Sequence, residues 1–248
     1  FHGIYNFSNN IKKYYNSIMV RSNLIIAGSN YVFDHIQKNY GNLIDKKKRL
    51  LVIFRGINTE YFDNSNITNT KIKKLYKLLN LNSEKFKILL PGRLTRWKGQ
   101  EMFIEAINLL KKKYKKENIQ IIILGSHQGR KVYFKKLISL VDKYGIKKDV
   151  HFLEHYNEMP VVYYISDLVV SSSIEPEAFG RISVEAQAMR KPILASNHGG
   201  SKETILNGKS GFLFDNNNPD SLAENLNKLI EMDKDKLQSI GNEGRKNI

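Results

Sequence analysis

A chain of 248 residues with 41% hydrophobic content can bury a sizeable core as one large or two small domains, and no window approaches the roughly eighteen consecutive apolar residues of a membrane span. The lack of cysteine excludes a disulfide framework and thiolate metal sites, and the opening FHGIYNFSNN has neither the charged nor the apolar region of a signal peptide, so a soluble, cytoplasmic protein is expected. A formal charge of +16 and a pI near 9.7 favour an anionic partner, whether nucleic acid, an anionic membrane or a phosphorylated substrate, unless they reflect only a lysine-, asparagine- and isoleucine-biased composition.

In chain order, 10–20 reads as a helix, 24–27 as a short buried strand, 30–40 as a helix capped by Ser29 or Asn30, and 50–54 as a strand. Two strands are too few for a parallel sheet with covered faces, so earlier strands of a longer protein are expected. The polar, aperiodic GINTEYFDNSNITNT at 56–70 places a domain boundary near residue 60. After a helix at 71–79, strands at 85–90, 121–124, 150–153, 167–170, 192–195 and 211–214 alternate with helices at 100–114, 132–144, 159–165, 177–189 and 219–230. Asn218 is expected to cap the last of these, and the tail after Asp233 to form a further helix. Such alternation predicts an α/β doubly wound parallel sheet, whose ligands sit at the carboxyl ends of the strands. Residues 1–84 hold 13 Lys or Arg against 5 Asp or Glu, half of the total excess of 16, and the clusters KKKR at 46–49 and KKKYKK at 111–116 read as solvated cations.

Three stretches at expected carboxyl ends carry chemistry. PGRLTRWKGQ, 91–100, sets Arg93, Arg96 and Lys98 after a strand, with Gly92 permitting a sharp turn. A guanidinium and an ammonium there can neutralise a developing diphosphate, or can be surface cations. In HGGSKE, Gly199 and Gly200 let backbone amides approach a ligand, or simply make a tight turn. Neither this segment nor GSHQGRK at 125–131 has Walker spacing. In SSSIEPEAFGRISVEAQAM, 171–189, Pro176 disfavours helix at Glu175 and leaves Glu177, Phe179 and Gly180 at an expected helix start, with Glu185 roughly 12 Å further along the axis. The amides there can receive a phosphate or sugar oxygen, although each glutamate alone also reads as a dipole complement or a solvated face. His151 and His155 flank a strand exit roughly 13 Å apart, and the D-x-D string at 233–235 reads as solvent-facing, so no metal site is expected.

Together, GRLTRWKG, SDLVVSSS, EPEAFGRISVEAQAM and HGGSKETILNGKSGFLF resemble the retaining glycosyltransferases of the GT-B fold, family four. FHGIYNFS, NLIIAGSNYVFDHI and FRGINTEYF look like the end of that family's first domain, and EPEAFGRISVEAQAM most resembles bacterial members that build lipopolysaccharide and related envelope glycans. The resemblance implies that 1–60 is the last part of an acceptor-side Rossmann-like domain, 61–232 a donor-binding Rossmann-like domain and 233–248 a terminal helix. It implies that Glu177 contacts donor-sugar hydroxyls, Glu185 holds the ribose, Phe179 and Gly180 offer amides, and Arg93 and Lys98 bind the diphosphate. The region around His155 would border the nucleobase and His2 would reach the sugar from the other domain, with Gly92, Arg181, Gly199 and Gly200 also counted as donor-binding.

One departure from the family pattern is Arg190 in MRKP, where a glycine is usual, which predicts an unfavourable backbone angle or a different turn. The implied activity is retaining transfer of a hexose-like unit from a nucleoside diphosphate sugar to a glycan or glycolipid, without metal or other cofactor. A sugar-nucleotide epimerase or phosphorylase on the same fold is the alternative. Nucleic-acid binding is disfavoured because no recognised module accompanies the charge. The basic front part is expected to meet an anionic membrane from its inner face. This segment alone is expected to bind donor but turn it over poorly.

Overall fold

Apolar residues at 24–27 and 50–52 make two short parallel strands, β1 (Leu24–Ala27) and β2 (Arg49–Val52), with Ile25 opposite Leu50. The Ile53 N–H extends the ladder by donating to the Ala27 carbonyl at 2.9 Å. Helix α1 (Asn10–Ser17) precedes them, and α2 (Asn30–Tyr40) starts at Ser29, whose hydroxyl accepts the Val32 N–H at 3.1 Å. Val32, Ile36 and Tyr40 recur every four residues along one face of α2 and pack with Val20, Ile25 and Ala27. The computed structural model describes residues 1, 3–5, 9–45 and 49–248, and Lys46–Lys48 of the basic cluster fall outside them.

The chain divides into two units, and the first comprises residues 1–56 together with 176–180 and 198–204. Those two later segments had been expected inside a domain spanning 61–232. They group with the first unit because their backbones pack against each other and Ala178 packs on the β1–α2 core.

The second unit, the remainder from Ile57 to Ile248, is built on a six-stranded, all-parallel sheet. Its strands are β3 (Phe86–Pro91), β4 (Ile119–Leu124), β5 (Val150–Leu153), β6 (Leu168–Ser171), β7 (Ile193–Ser196) and β8 (Phe212–Phe214). Their spatial order is β5-β4-β3-β6-β7-β8, the doubly wound arrangement that reverses direction between β3 and β6. Both faces are buried, which is why the strands read as continuous apolar runs. Ile88, Leu90, Ile121 and Ile123 face α4 (Gln100–Tyr114), α5 (Lys131–Lys143) and α9 (Pro219–Ile230). Leu89, Ile122 and Val169 face α3 (Asn69–Leu79), α6 (Met159–Ile165) and α7 (Arg181–Ala188). Asn218 caps α9 as expected, accepting the Ser221 N–H at 3.0 Å.

One reading of the sequence is corrected. The helix expected at 177–189 is shorter, because Gly180 adopts a φ of +88°, and α7 therefore starts at Arg181. Glu177 and Glu185 are thus not two points on one helical axis. The tail forms a further helix as expected, α10 (Lys234–Asn247), which packs on α7 within the second unit. Its first turn is capped by Asp233, which accepts the Asp235 N–H at 2.9 Å, so the D-x-D string is exposed and also has a structural use.

Candidate functional site

The topological reversal between β3 and β6 puts the ends of these two strands side by side, and an open α/β sheet binds its ligands there. The loop leaving β3 holds Gly92, with φ +139°, then Arg93, the only tryptophan Trp97, and Lys98. The Lys98 ammonium lies 4.5 Å and the Arg93 guanidinium 6.0 Å from the centre of the Trp97 ring. One indole ring therefore lies within cation–π range of both cations.

The loop leaving β6 is stitched to this turn. Ile174 N–H donates to the Trp97 carbonyl at 2.8 Å, and the Ser172 hydroxyl donates to the Lys98 carbonyl at 3.1 Å. This approach requires Gly99, since a Cβ there would stand 1.9 Å from the Ser172 oxygen. Gln100 Nε2 also donates to the Arg93 carbonyl at 2.9 Å, which fixes the turn from its other end.

Glu185 projects from α7 with a side chain 12% exposed. Its Oε2 accepts from the buried Tyr163 hydroxyl at 2.7 Å and its Oε1 from Arg181 at 3.0 Å. The carboxylate is thereby locked in one orientation while keeping lone pairs for a polyol. His155 is exposed and pairs with Asn157 Oδ1 at 2.6 Å. It does not line the neighbouring cavity of about 70 Å³ at the ends of β4 and β5, which Leu94, Gly125, His127, Phe134 and Phe152 enclose.

In the first unit, the Gly200 N–H donates to the Glu177 carbonyl at 2.8 Å. A Cβ at Gly199 would come 2.6 Å from that carbonyl, and one at Gly200 would come 2.5 Å from Phe179. The adjacent glycines thus serve close packing of 198–204 on 177–180, with Phe179 buried and Gly180 packed against the short helix α8 (Ser201–Thr204). Glu203, the last residue of HGGSKE, accepts the Asn30 N–H at 2.7 Å and the Tyr31 N–H at 2.6 Å, supplying the start of α2 with a carboxylate. His2 lies outside the described residues. Among the described residues, no three His, Asp or Glu side chains gather as a metal-binding group.

The family profile described as "Glycosyl transferases group 1" matches residues 71–247. The chain belongs to the group 1 glycosyltransferases. This glycosyltransferase is 35% identical to the crystal structure of a glycosyltransferase from Rickettsia africae, with a TM-score of 0.87 covering 100% of this chain and 64% of that one. It is 25% identical, with a TM-score of 0.86 over 99% of this chain and 64% of the other, to HepE from Anabaena, crystallised in complex with UDP and glucose. It is also 27% identical over 84% of its length to the capsular polysaccharide biosynthesis glycosyltransferase CapM of Staphylococcus aureus, of which it covers 52%. The chain spans about half the length of the curated relatives it matches. With these neighbours and its six-stranded parallel sheet, the glycosyltransferase has the expected GT-B type of fold.

Sequence reasoning missed Trp97 and Tyr163. The single tryptophan between two singled-out cations was a signal for the first. Nothing local foreshadows the second, because Tyr163 and Glu185 are 22 residues apart on different helices.

Proposed function

We propose that the protein transfers a hexose-like unit from a nucleoside diphosphate sugar to a glycan or glycolipid acceptor of the cell envelope, with retention of configuration and without metal. The observation that carries this reading is the pair of cations, Arg93 and Lys98, held on one tryptophan ring at the carboxyl end of β3. A guanidinium and an ammonium there oppose the charge that develops as the bond from the anomeric carbon to the diphosphate breaks. The acceptor oxygen bonds to the same face, and its proton passes to the departing diphosphate.

Glu185, held by Tyr163 and Arg181, is proposed to accept the ribose hydroxyls. Gly92 gives the phosphates access to the backbone and the loop bearing His155 borders the base. Glu177, with the amides of Phe179 and Gly180, is proposed to meet the sugar hydroxyls. The UDP-bound crystal structure of HepE supports a nucleotide donor, and the name of CapM supports an envelope glycan as product.

The test is turnover of the full-length protein with a donor found by screening, beginning with UDP-glucose. Arg93→Ala is expected to lower turnover about 10²- to 10³-fold while leaving the melting temperature in place. Unchanged turnover would remove the diphosphate role.

A further inference from the structure

Beside Trp97, the turn after β3 and the first turns of α4 and α5 line an open groove of about 730 Å³. Arg93, Lys98 and Glu185 do not line it. One wall is Trp97 with Arg96, and the other is Arg130, Lys131 and Tyr133 at the start of α5.

Three observations show that this groove is chemically incomplete. Thr95, only 5% exposed, is one of its lining residues, and the Thr95 hydroxyl has no hydrogen-bond partner among the described residues. A buried hydroxyl left unpaired carries a desolvation penalty, which a polar group reaching it from the groove would offset. Arg96, Arg130 and Lys131 form no ion pair among the described residues, the nearest polar partner of Arg130 being Gln128 Oε1 at 3.2 Å. Lys136, by contrast, is neutralised by Glu101 on the groove floor, and Glu175 is the other carboxylate at the rim. Finally, α5 begins without a capping side chain or an acid in its first turn, and places the 85%-exposed Val132 at the opening.

Aromatic and apolar faces suit sugar rings, whereas the unpaired guanidinium and ammonium groups suit carboxylate or phosphate. We infer that this groove is a second binding site, for an acidic saccharide segment of the glycan on which the enzyme acts. The inference rests on the reading of the substrate as a glycan. It goes beyond the donor site, because it assigns Thr95, Arg96 and Arg130 to a different ligand.

Trp97 is the only tryptophan and forms one wall, so its fluorescence reports occupancy directly. The full-length protein is titrated with a uronic-acid oligosaccharide, a phosphorylated oligosaccharide, a neutral one of the same length, and a single-stranded oligonucleotide of equal charge. UDP binding is followed separately by calorimetry. A saturable emission change with the uronate or the phosphorylated sugar is expected, and which of them binds identifies the acidic group. The double variant Arg96→Ala/Arg130→Ala should weaken that binding by about tenfold or more, and Thr95→Val by about threefold, with UDP affinity unaltered. Equal binding of the neutral sugar, undiminished binding by the double variant, or tighter binding of the oligonucleotide through the same arginines would overturn the inference. Failure of UDP to bind the wild type would count against the donor reading alone, since the saccharide titration does not depend on it.

Discussion

The two edges of the six-stranded sheet use the same residue types in opposite ways. At the amino edge, the buried Asp149 just before β5 accepts from Lys85 at 2.9 Å and Lys111 at 2.5 Å, and Lys111 also meets Glu117 at 2.8 Å. Burial by itself would raise the Asp149 carboxyl, but its hydrogen bonds to Lys111 and Lys85 hold it below its ordinary value. On α10, the Arg245 guanidinium donates to the carbonyls of Phe62 (2.8 Å), Ala188 (2.7 Å) and Thr59 (3.2 Å) and to Asp63 (3.0 Å). At the carboxyl edge, Arg93 and Lys98 rest on an aromatic ring, and Arg96, Arg130 and Lys131 meet no carboxylate among the described residues. Charge cancelled inside the protein holds the fold together; the charge of Arg96, Arg130 and Lys131 is available for anions.

That division is tested most severely at Asp149. Lys111→Met removes one of its two buried counterions and is expected to cost about 3 kcal/mol, read from the urea midpoint, without changing UDP affinity. Because the Asp149 carboxyl is lowered on folding, the cluster's contribution is present at neutral pH and is lost as acid protonates the folded carboxylate. A loss under about 1 kcal/mol would show that the amino edge does not depend on this cluster.

Arg245→Ala strands three backbone carbonyls and should cost about 2–3 kcal/mol, again with donor binding intact. Loss of UDP affinity in that variant would blur the separation of the two edges.

Lys191 gives a pH signature. Burial lowers its ammonium to about 8, although Asp167 pulls in the other direction. The unfolded chain therefore binds more protons than the folded one between about pH 8 and 10.5, and stability should rise with pH across that window by on the order of 3 kcal/mol. Lys191→Met should flatten this slope, as measured by denaturation at successive pH values.

The smallest effect belongs to Arg190. Its φ of +53° places it in the left-handed position of a helix C-cap, where its N–H donates to the Gln187 carbonyl at 2.9 Å and that of Lys191 to Ala186 at 2.8 Å. The strain expected from the missing family glycine is therefore present. Arg190→Gly should raise stability by about 1 kcal/mol in thermal unfolding, and a loss would mean that the arginine side chain outweighs its backbone cost.

Most of the second unit's elements were legible because both signals involved are local. Short, β-branched apolar runs such as IQIIIL read as strands buried on two faces, and caps such as Asn218 act within three residues of themselves. The start of α7 was misplaced because Gly180 could as well have lain in a helical turn as ended one. Its positive φ comes with close packing against Ser201 and Thr204, more than twenty residues away.

The candidate site divides the same way. The residue types at 92–99, Glu185 and the adjacent glycines stood out in the sequence, whereas their uses did not. Gly199 and Gly200 admit a neighbouring backbone segment, and Glu203 serves α2. Tyr163 and Trp97 set the orientation of groups that sequence could only place nearby.

The sequence by itself determined the alternation of strands and helices and the chemical inventory at the strand ends, since periodicity and composition are properties of contiguous residues. Tertiary structure alone decided that β3 lies beside β6, that one ring serves two cations, and which charges are cancelled. Those facts depend on which distant segments share a neighbourhood once the apolar faces are buried.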